Sequence, residues 1–356
     1  MADRQLVPEA TLEVLRAGAN AADNQAHWPD TSWNALCQGG VLGWCIPPEF
    51  GGQGRGAVEL LEGYAALASA CLTTAFFLSQ REGACRRIID SGSEVLCREL
   101  LPALASGERF ATIGLSQLTT SRQHVKPVLL ARLSENSLVL DGTIPWVTGA
   151  ERADHFIIGA ALEDGRQVLV VVPRQSPGLT VGPPFELMAL QGSLTAEVRC
   201  NNVVLERRWL LAGPVEGVMA SGRGGTGGVE TSCLALGLTR AAVEHVQQEA
   251  VHRPDLRPIA ERLERARQDL WTELLELGRG GSTPEAAAVL RGRANSLVLQ
   301  ATQTALTVSK GTGFLRPHPA QRWARQAMFF LVWSCPRPAA EATLAFLAPP
   351  ENQVCL

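Results

Sequence analysis

The sequence predicts an α+β protein in which a small antiparallel β domain sits between two helical bundles, with domains at residues 1–110, 111–212 and 213–356. Two changes of hydrophobic period carry this reading. Before Phe110 and after Leu211 apolar residues recur at helical spacing, whereas between them they alternate in short runs divided by turn residues. A glycine-rich stretch from Gly213 to Gly228 then reads as a flexible crossing into the last domain.

Taken in order, Thr11 to Ala22 places Leu12, Val14, Leu15 and Ala19 close to one helical face, and Ser32 can cap a second short helix through Trp33 and Leu36 to Leu42. Gly43 to Gly54 holds two prolines and several glycines and reads as a loop. Val58 to Ala70, Thr73 to Arg81 and Glu94 to Leu104 are apolar on several sides, as packed helices are, and Gly107-Glu108 ends the last of them. In the middle, Ser137 to Ala150 alternates around an Asp141-Gly142 pair that predicts a hairpin turn. His155 to Leu162, Val168 to Pro173 and Ala196 to Leu205 read as further strands. Val229 to Val251, Pro258 to Leu277 and Pro284 to Ser309 read as long helices, and a last helix within Pro319 to Ala348 is broken by Pro336 and Pro338.

Composition narrows the function. A chain of 356 residues with 46% hydrophobic and 19% charged residues can bury a sizeable core, and a net charge of -3 without a basic run argues against nucleic acid. No apolar run approaches the length of a membrane span, and the polar start, Met-Ala-Asp-Arg-Gln, does not read as a secretory signal. Nine scattered cysteines without a C-x-x-C pair predict reduced thiols in a cytoplasmic protein and no metal site.

Several punctuation marks occur in an order that resembles the acyl-CoA dehydrogenase family of flavoproteins over nearly the whole chain. Ile46-Pro47-Pro48-Glu49-Phe50-Gly51-Gly52-Gln53-Gly54 is similar to the family's I-P-E-x-Y-G-G-x-G loop, and Leu101-Pro102 with Gly107-Glu108 to its approach to the β domain. Trp146-Val147-Thr148-Gly149-Ala150 resembles its W-I-T-N-A strand, and Leu187 to Val204 the end of its β domain. The resemblance implies FAD, held by Ile113, Leu115, Ser116, Trp146 and Thr148, with Ser121 and Arg240 toward an acyl-CoA substrate. A flavin ring needs an apolar wall and hydrogen-bond donors, and alternation on one strand puts Trp146 and Thr148 on the same side. Thr307 to Phe314 resembles the segment that meets the flavin dinucleotide of a neighbouring subunit, with Gly311 open to phosphate and Lys310 adding a charge. The stretch after Pro319 is similar to the family's R-x-x-R-D, keeping Arg325 and replacing the aspartate by Gln326. The R-x-x-F-G flavin segment is absent near Val251 to Leu256.

The family takes the α-proton with a glutamate at one of two places, and both align here with hydroxyl residues, Ser334 and Thr239. A hydroxyl is a poor acceptor for a carbon-bound proton because its pKa is far from the working pH. Glu230 lies roughly half a turn out of phase with Thr239 and about 13 Å along the helix, Glu341 follows two prolines, and His245 is a lone helical histidine. Two functions stay open. One is an FAD-dependent oxidoreductase of an acyl thioester or related acyl compound, with a relocated base or in chemistry that needs none, such as oxygen activation or elimination, and with an electron-transfer flavoprotein or oxygen as acceptor. The other is a non-catalytic homologue serving as a binding or structural subunit. The resemblance also implies a homodimer or homotetramer paired through Pro284 to Ser309, a helix apolar on more than one face.

Overall fold

The computed structural model describes residues 6–119, 128–219, 229–280, 283–333 and 337–348. Five helices come first: α1 (Glu9–Asn24), α2 (Asp30–Gln38), α3 (Ala57–Ala70), α4 (Leu72–Asp90) and α5 (Glu94–Ser106). The sheet follows, with β1 (Ala111–Gly114), the single-turn α6 (Ser116–Thr119), β2 (Leu129–Leu133), β3 (Ser137–Val147), β4 (His155–Ala161), β5 (Gln167–Pro173), β6 (Leu179–Pro184), β7 (Ala196–Glu206) and β8 (Leu210–Val215). The C-terminal bundle holds α7 (Val229–His252), α8 (Arg257–Gly280), α9 (Pro284–Val308), the single-turn α10 (Lys310–Gly313), α11 (Pro319–Phe329) and α12 (Arg337–Leu347). Helix, sheet, helix is the predicted architecture.

The sheet is mixed and not wholly antiparallel. Its order is β6-β7-β3-β2-β4-β5-β8, and β1 pairs with β4. Both β1 and β2 run parallel to β4, through Ala111 to His155 and Leu130 to Ala161, while the other pairings are antiparallel. The expectation of an antiparallel domain is corrected at these two pairings. A parallel neighbour needs a connection longer than a hairpin, and β1 reaches β4 only after two other strands have been laid down. Every residue of β4 is buried, which is why it reads as an unbroken apolar run.

The hairpin expected at Asp141-Gly142 is not a turn. β3 runs through it without reversing and pairs with β2 on one side and β7 on the other, its register against β7 shifting between Leu140 and Gly142. Gly142 has φ +129°, and a Cβ there would stand 2.2 Å from the Val128 carbonyl oxygen. The pair therefore marks a bulge where a neighbouring backbone comes close. Four strands that sequence alone left unassigned, β1, β2, β6 and β8, lie beside strands that it found. Gly213 to Val215 belong to β8, and residues 220–228 of the expected crossing lie outside the described residues. Ser32 is buried inside the first turn of α2, which starts after Pro29, so it is not the cap.

The loop at Ile46 to Gly54 has a structural task. Gly54 N donates to Ile46 O at 2.8 Å, Gln53 N to Gly43 O at 2.7 Å and Arg55 N to Trp44 O at 2.8 Å, so the loop folds back on itself. A Cβ on Gly52 would lie 1.9 Å from the Ile46 carbonyl oxygen, and only glycine fits. Trp28 and Trp33 meet Phe77 and Phe110, with Trp28 4.5 Å from Phe77 and 5.2 Å from Phe110 between ring centroids. That aromatic cluster joins the first bundle to the sheet.

Candidate functional site

The end of β3 carries the residues that the sequence singled out first. Trp146 is 54% exposed although it stands on a strand, and its indole lies 4.8 Å from the Phe185 ring. Thr148 is beyond the end of β3 and is buried at 6% exposure. The register shift between Ile144 and Val147 interrupts the ladder just before Thr148, and the two side chains differ in exposure: the indole is open and the hydroxyl is enclosed. Thr148 Oγ1 is 3.3 Å from Thr195 Oγ1, which is 2.9 Å from Ser193 Oγ. The Thr148 carbonyl accepts from Thr112 Oγ1 at 2.7 Å and ties this corner to β1.

Around β1, Ile113 is half-buried against α4, with its Cδ1 3.3 Å from where a Cβ on Gly83 would stand. Leu115 is buried toward Gly159 of β4 and belongs to the sheet's core. Ser116 opens α6 with its Oγ buried. Ser121 and Ser334, expected at the acyl site and at one base position, lie outside the described residues.

In the last bundle, Thr239 is fully buried and its hydroxyl donates to the Ala235 carbonyl at 2.8 Å, within its own helix. Arg240 points outward and pairs with Glu244 at 2.7 Å. Gly311 is exposed in a cleft of about 590 Å³ built from Glu249, Arg253, Val308, Ser309, Lys310, Thr312 and His318, with no residue of the sheet among them. Lys310 takes a left-handed φ of +52° there. His245 is neither free surface nor apolar core: its Nε2 is 2.7 Å from Ser309 Oγ, and burial together with His318 holds its pKa below the usual imidazole value.

The structure also assembles a group that motif reading missed. Arg86 on α4 forms a close ion pair with Glu82 and reaches Glu230 of α7 at 3.4 Å. Partial burial raises the Glu230 carboxyl above the ordinary range, against the lowering pull of Arg86. No spacing in the sequence links residues so far apart. Among the described residues no cluster of His, Cys, Asp or Glu could hold a metal ion, and no helix is long and apolar enough to cross a membrane.

Residues 3–108 match the family model described as acyl-CoA dehydrogenase, N-terminal domain. The chain is a homologue of the acyl-CoA dehydrogenases. A probable acyl-CoA dehydrogenase of Bacillus subtilis is 22% identical over 350 residues, covering 91% of each chain. The 3-sulfinopropanoyl-CoA desulfinase of Paraburkholderia xenovorans is 25% identical over 370 residues, covering 93% of this chain and 92% of its own. Among solved structures, a glutaryl-CoA dehydrogenase from Mycobacterium smegmatis in complex with FADH2 superposes with a TM-score of 0.78 at 19% identity, covering 98% of this chain and 97% of that one. That last likeness is one of fold. The chain is thus similar to acyl-CoA dehydrogenases in its first 108 residues by family model and over its whole length by fold.

Proposed function

We propose that this acyl-CoA dehydrogenase homologue is an FAD-dependent oxidoreductase of an acyl thioester. The observation that carries the reading is the open indole of Trp146 beside Phe185, at the end of a strand whose inward residues Leu138, Leu140 and Ile144 are fully buried. A tryptophan left more than half exposed beside a second ring is a wall for a planar ligand, and the nearby hydroxyls suit a ring edge rich in acceptors. The residues present therefore fit an isoalloxazine.

When bound, the flavin supplies a two-electron acceptor. Trp146 and Phe185 bind its ring, Thr148 is oriented by the Ser193–Thr195 hydroxyl chain, and Ile113 and Ser116 close the side toward α4. The resemblance assigns the segment at Gly311 to the dinucleotide of a neighbouring subunit, with Lys310 adding a charge; Arg253 and Glu249 line the same cleft. That requires a homodimer or homotetramer. The substrate is an acyl-CoA or related thioester, and the electrons leave to an electron-transfer flavoprotein or to oxygen.

The test is FAD affinity. Trp146→Ala is expected to weaken FAD binding by about tenfold, the worth of a ring contact of roughly 1.4 kcal/mol, while Trp146→Phe keeps most of it. FAD affinity unchanged by Trp146→Ala would remove Trp146 from the flavin site, and no FAD uptake by the wild type would favour the non-catalytic subunit.

A further inference from the structure

We infer that Cys45 and Cys85 form a redox-sensitive dithiol, a modification site at which a hydroperoxide closes a disulfide between the loop at Gly43 to Gly54 and α4. The pair lies in the first bundle and needs no flavin. Cys85 is fully buried on α4, Cys45 is half-buried in the loop, and both are free thiols. The two thiols meet each other in hydrogen-bonding contact. Cys71, Cys97 and Cys233 instead meet oxygens, the Thr74 hydroxyl and the Ile88 and Leu61 carbonyls.

Two contacts set one helical turn apart hold the loop against this face of α4. Arg81 Nη2 donates to the Leu42 carbonyl at 2.8 Å, and Cys85 stands four residues after Arg81, hence on the same face. Cys45 stands three residues after Leu42, beyond the 3-10 turn at Val41–Gly43, and three residues of such a turn advance about as far, roughly 6 Å, as four of an α-helix. Loop and helix therefore keep step from the first contact to the second. Cys45 cannot swing away. On one side of it the Trp44 carbonyl accepts from Arg55 N at 2.8 Å, on the other the Ile46 carbonyl accepts from Gly54 N at 2.8 Å, and both flanking side chains are buried. Backbone fixed by other bonds thus presents each sulfur to the other, and they need to approach by only about 2 Å to reach the ~2.05 Å of a disulfide.

The oxidation takes two steps. The half-buried Cys45 sulfur, as thiolate, attacks the terminal oxygen of the hydroperoxide; the O–O bond breaks, water or an alcohol leaves with the proton the thiol gave up, and Cys45 becomes a sulfenic acid. The Cys85 sulfur then attacks the Cys45 sulfur; the S–O bond breaks, the oxygen leaves as water with the Cys85 proton, and the disulfide forms. The two sulfurs lose the two electrons that the peroxide gains. The facing Cys85 thiol and burial, aided by Glu82 and opposed by Arg81, push the Cys45 thiol well above its ordinary pKa. Because the thiolate is the nucleophile, the pair withstands brief exposure to peroxide at neutral pH and closes faster as pH rises.

The experiment exposes the reduced full-length protein to hydrogen peroxide, caps the remaining thiols with N-ethylmaleimide and digests with trypsin in the absence of reductant. Mass spectrometry is expected to find peptide 82–86 joined to peptide 17–55, and dithiothreitol should separate them. Peptide 17–55 also holds Cys37, so the link should persist in Cys37→Ser and vanish in Cys45→Ser. Cys85→Ser should stop at a Cys45 sulfenic acid that dimedone labels. Closure should speed by up to about tenfold per pH unit while the thiol is mostly protonated. The oxidised wild type should unfold at a higher urea concentration than the reduced one, because the bond closes a long loop of the unfolded chain, and Cys85→Ala should show no such shift. No link at peroxide doses that oxidise the other thiols overturns the assignment, as does a link made through Cys37 or one that forms only in urea-unfolded protein.

Discussion

Asp23 shows at the scale of one residue how a motif change is absorbed elsewhere. It sits on α1 with its side chain wholly buried, accepts from Gln326 Nε2 at 2.8 Å and from Leu190 N at 2.9 Å, and meets Arg325 Nη2 at 2.6 Å. Gln326 stands where the family motif has an aspartate. A second carboxylate there would face Asp23 across a buried contact, and the amide donates instead. Sequence reading could register the replacement but not its compensation, because the partner lies at the other end of the chain. Asp23→Ala is expected to destabilise the protein by about 3 to 5 kcal/mol, since it leaves Arg325 and Gln326 without their acceptor. Urea unfolding measures this, and a loss under about 1 kcal/mol would mean that Met188 O, Gln321 and Asn24 suffice to hold Arg325.

Elements with strong period were legible, and elements defined by their neighbours were not. The long helices α7, α8 and α9 begin and end within a few residues of their sequence readings, because their caps and prolines are local signals. β6, with its two prolines and half-exposed side chains, lacks alternation and exists only through pairing with β7. Asp141-Gly142 misled for a related reason: the signal for a tight turn is also the signal for a bulge, and only the strands on either side decide. The site divided in the same way. Trp146 was legible from its motif, whereas Phe185 meets it, and Arg86 meets Glu230, only in the fold. Gly142→Ala tests the bulge. Its Cβ would meet the Val128 carbonyl at 2.2 Å, and a loss of about 2 kcal/mol or more in unfolding free energy is expected. An unchanged stability would show that β2 can move aside.

For the molecule as a whole, pH dependence follows from groups that burial keeps from charging. His155 and His245 both have lowered pKa values, so the folded protein resists their protonation more than the unfolded chain does. Their contribution is complete above the ordinary histidine pKa of about 6.5 and is lost as pH falls through the folded values. Glu230 acts in the opposite direction, because its raised pKa lets the folded state hold a proton more tightly at low pH. Unfolding free energy is expected to fall between pH 7.5 and 5.5, both taken as rough bounds of the histidine window, and less so in His155→Gln. A flat profile would contradict the burial of both rings. The central claim, an acyl thioester flavoenzyme, is tested most directly by mixing the FAD-loaded protein with short and medium acyl-CoA thioesters without oxygen and following the visible flavin band. The account predicts that the band bleaches with at least one thioester. A protein that binds FAD stoichiometrically yet keeps its band with every thioester would contradict it.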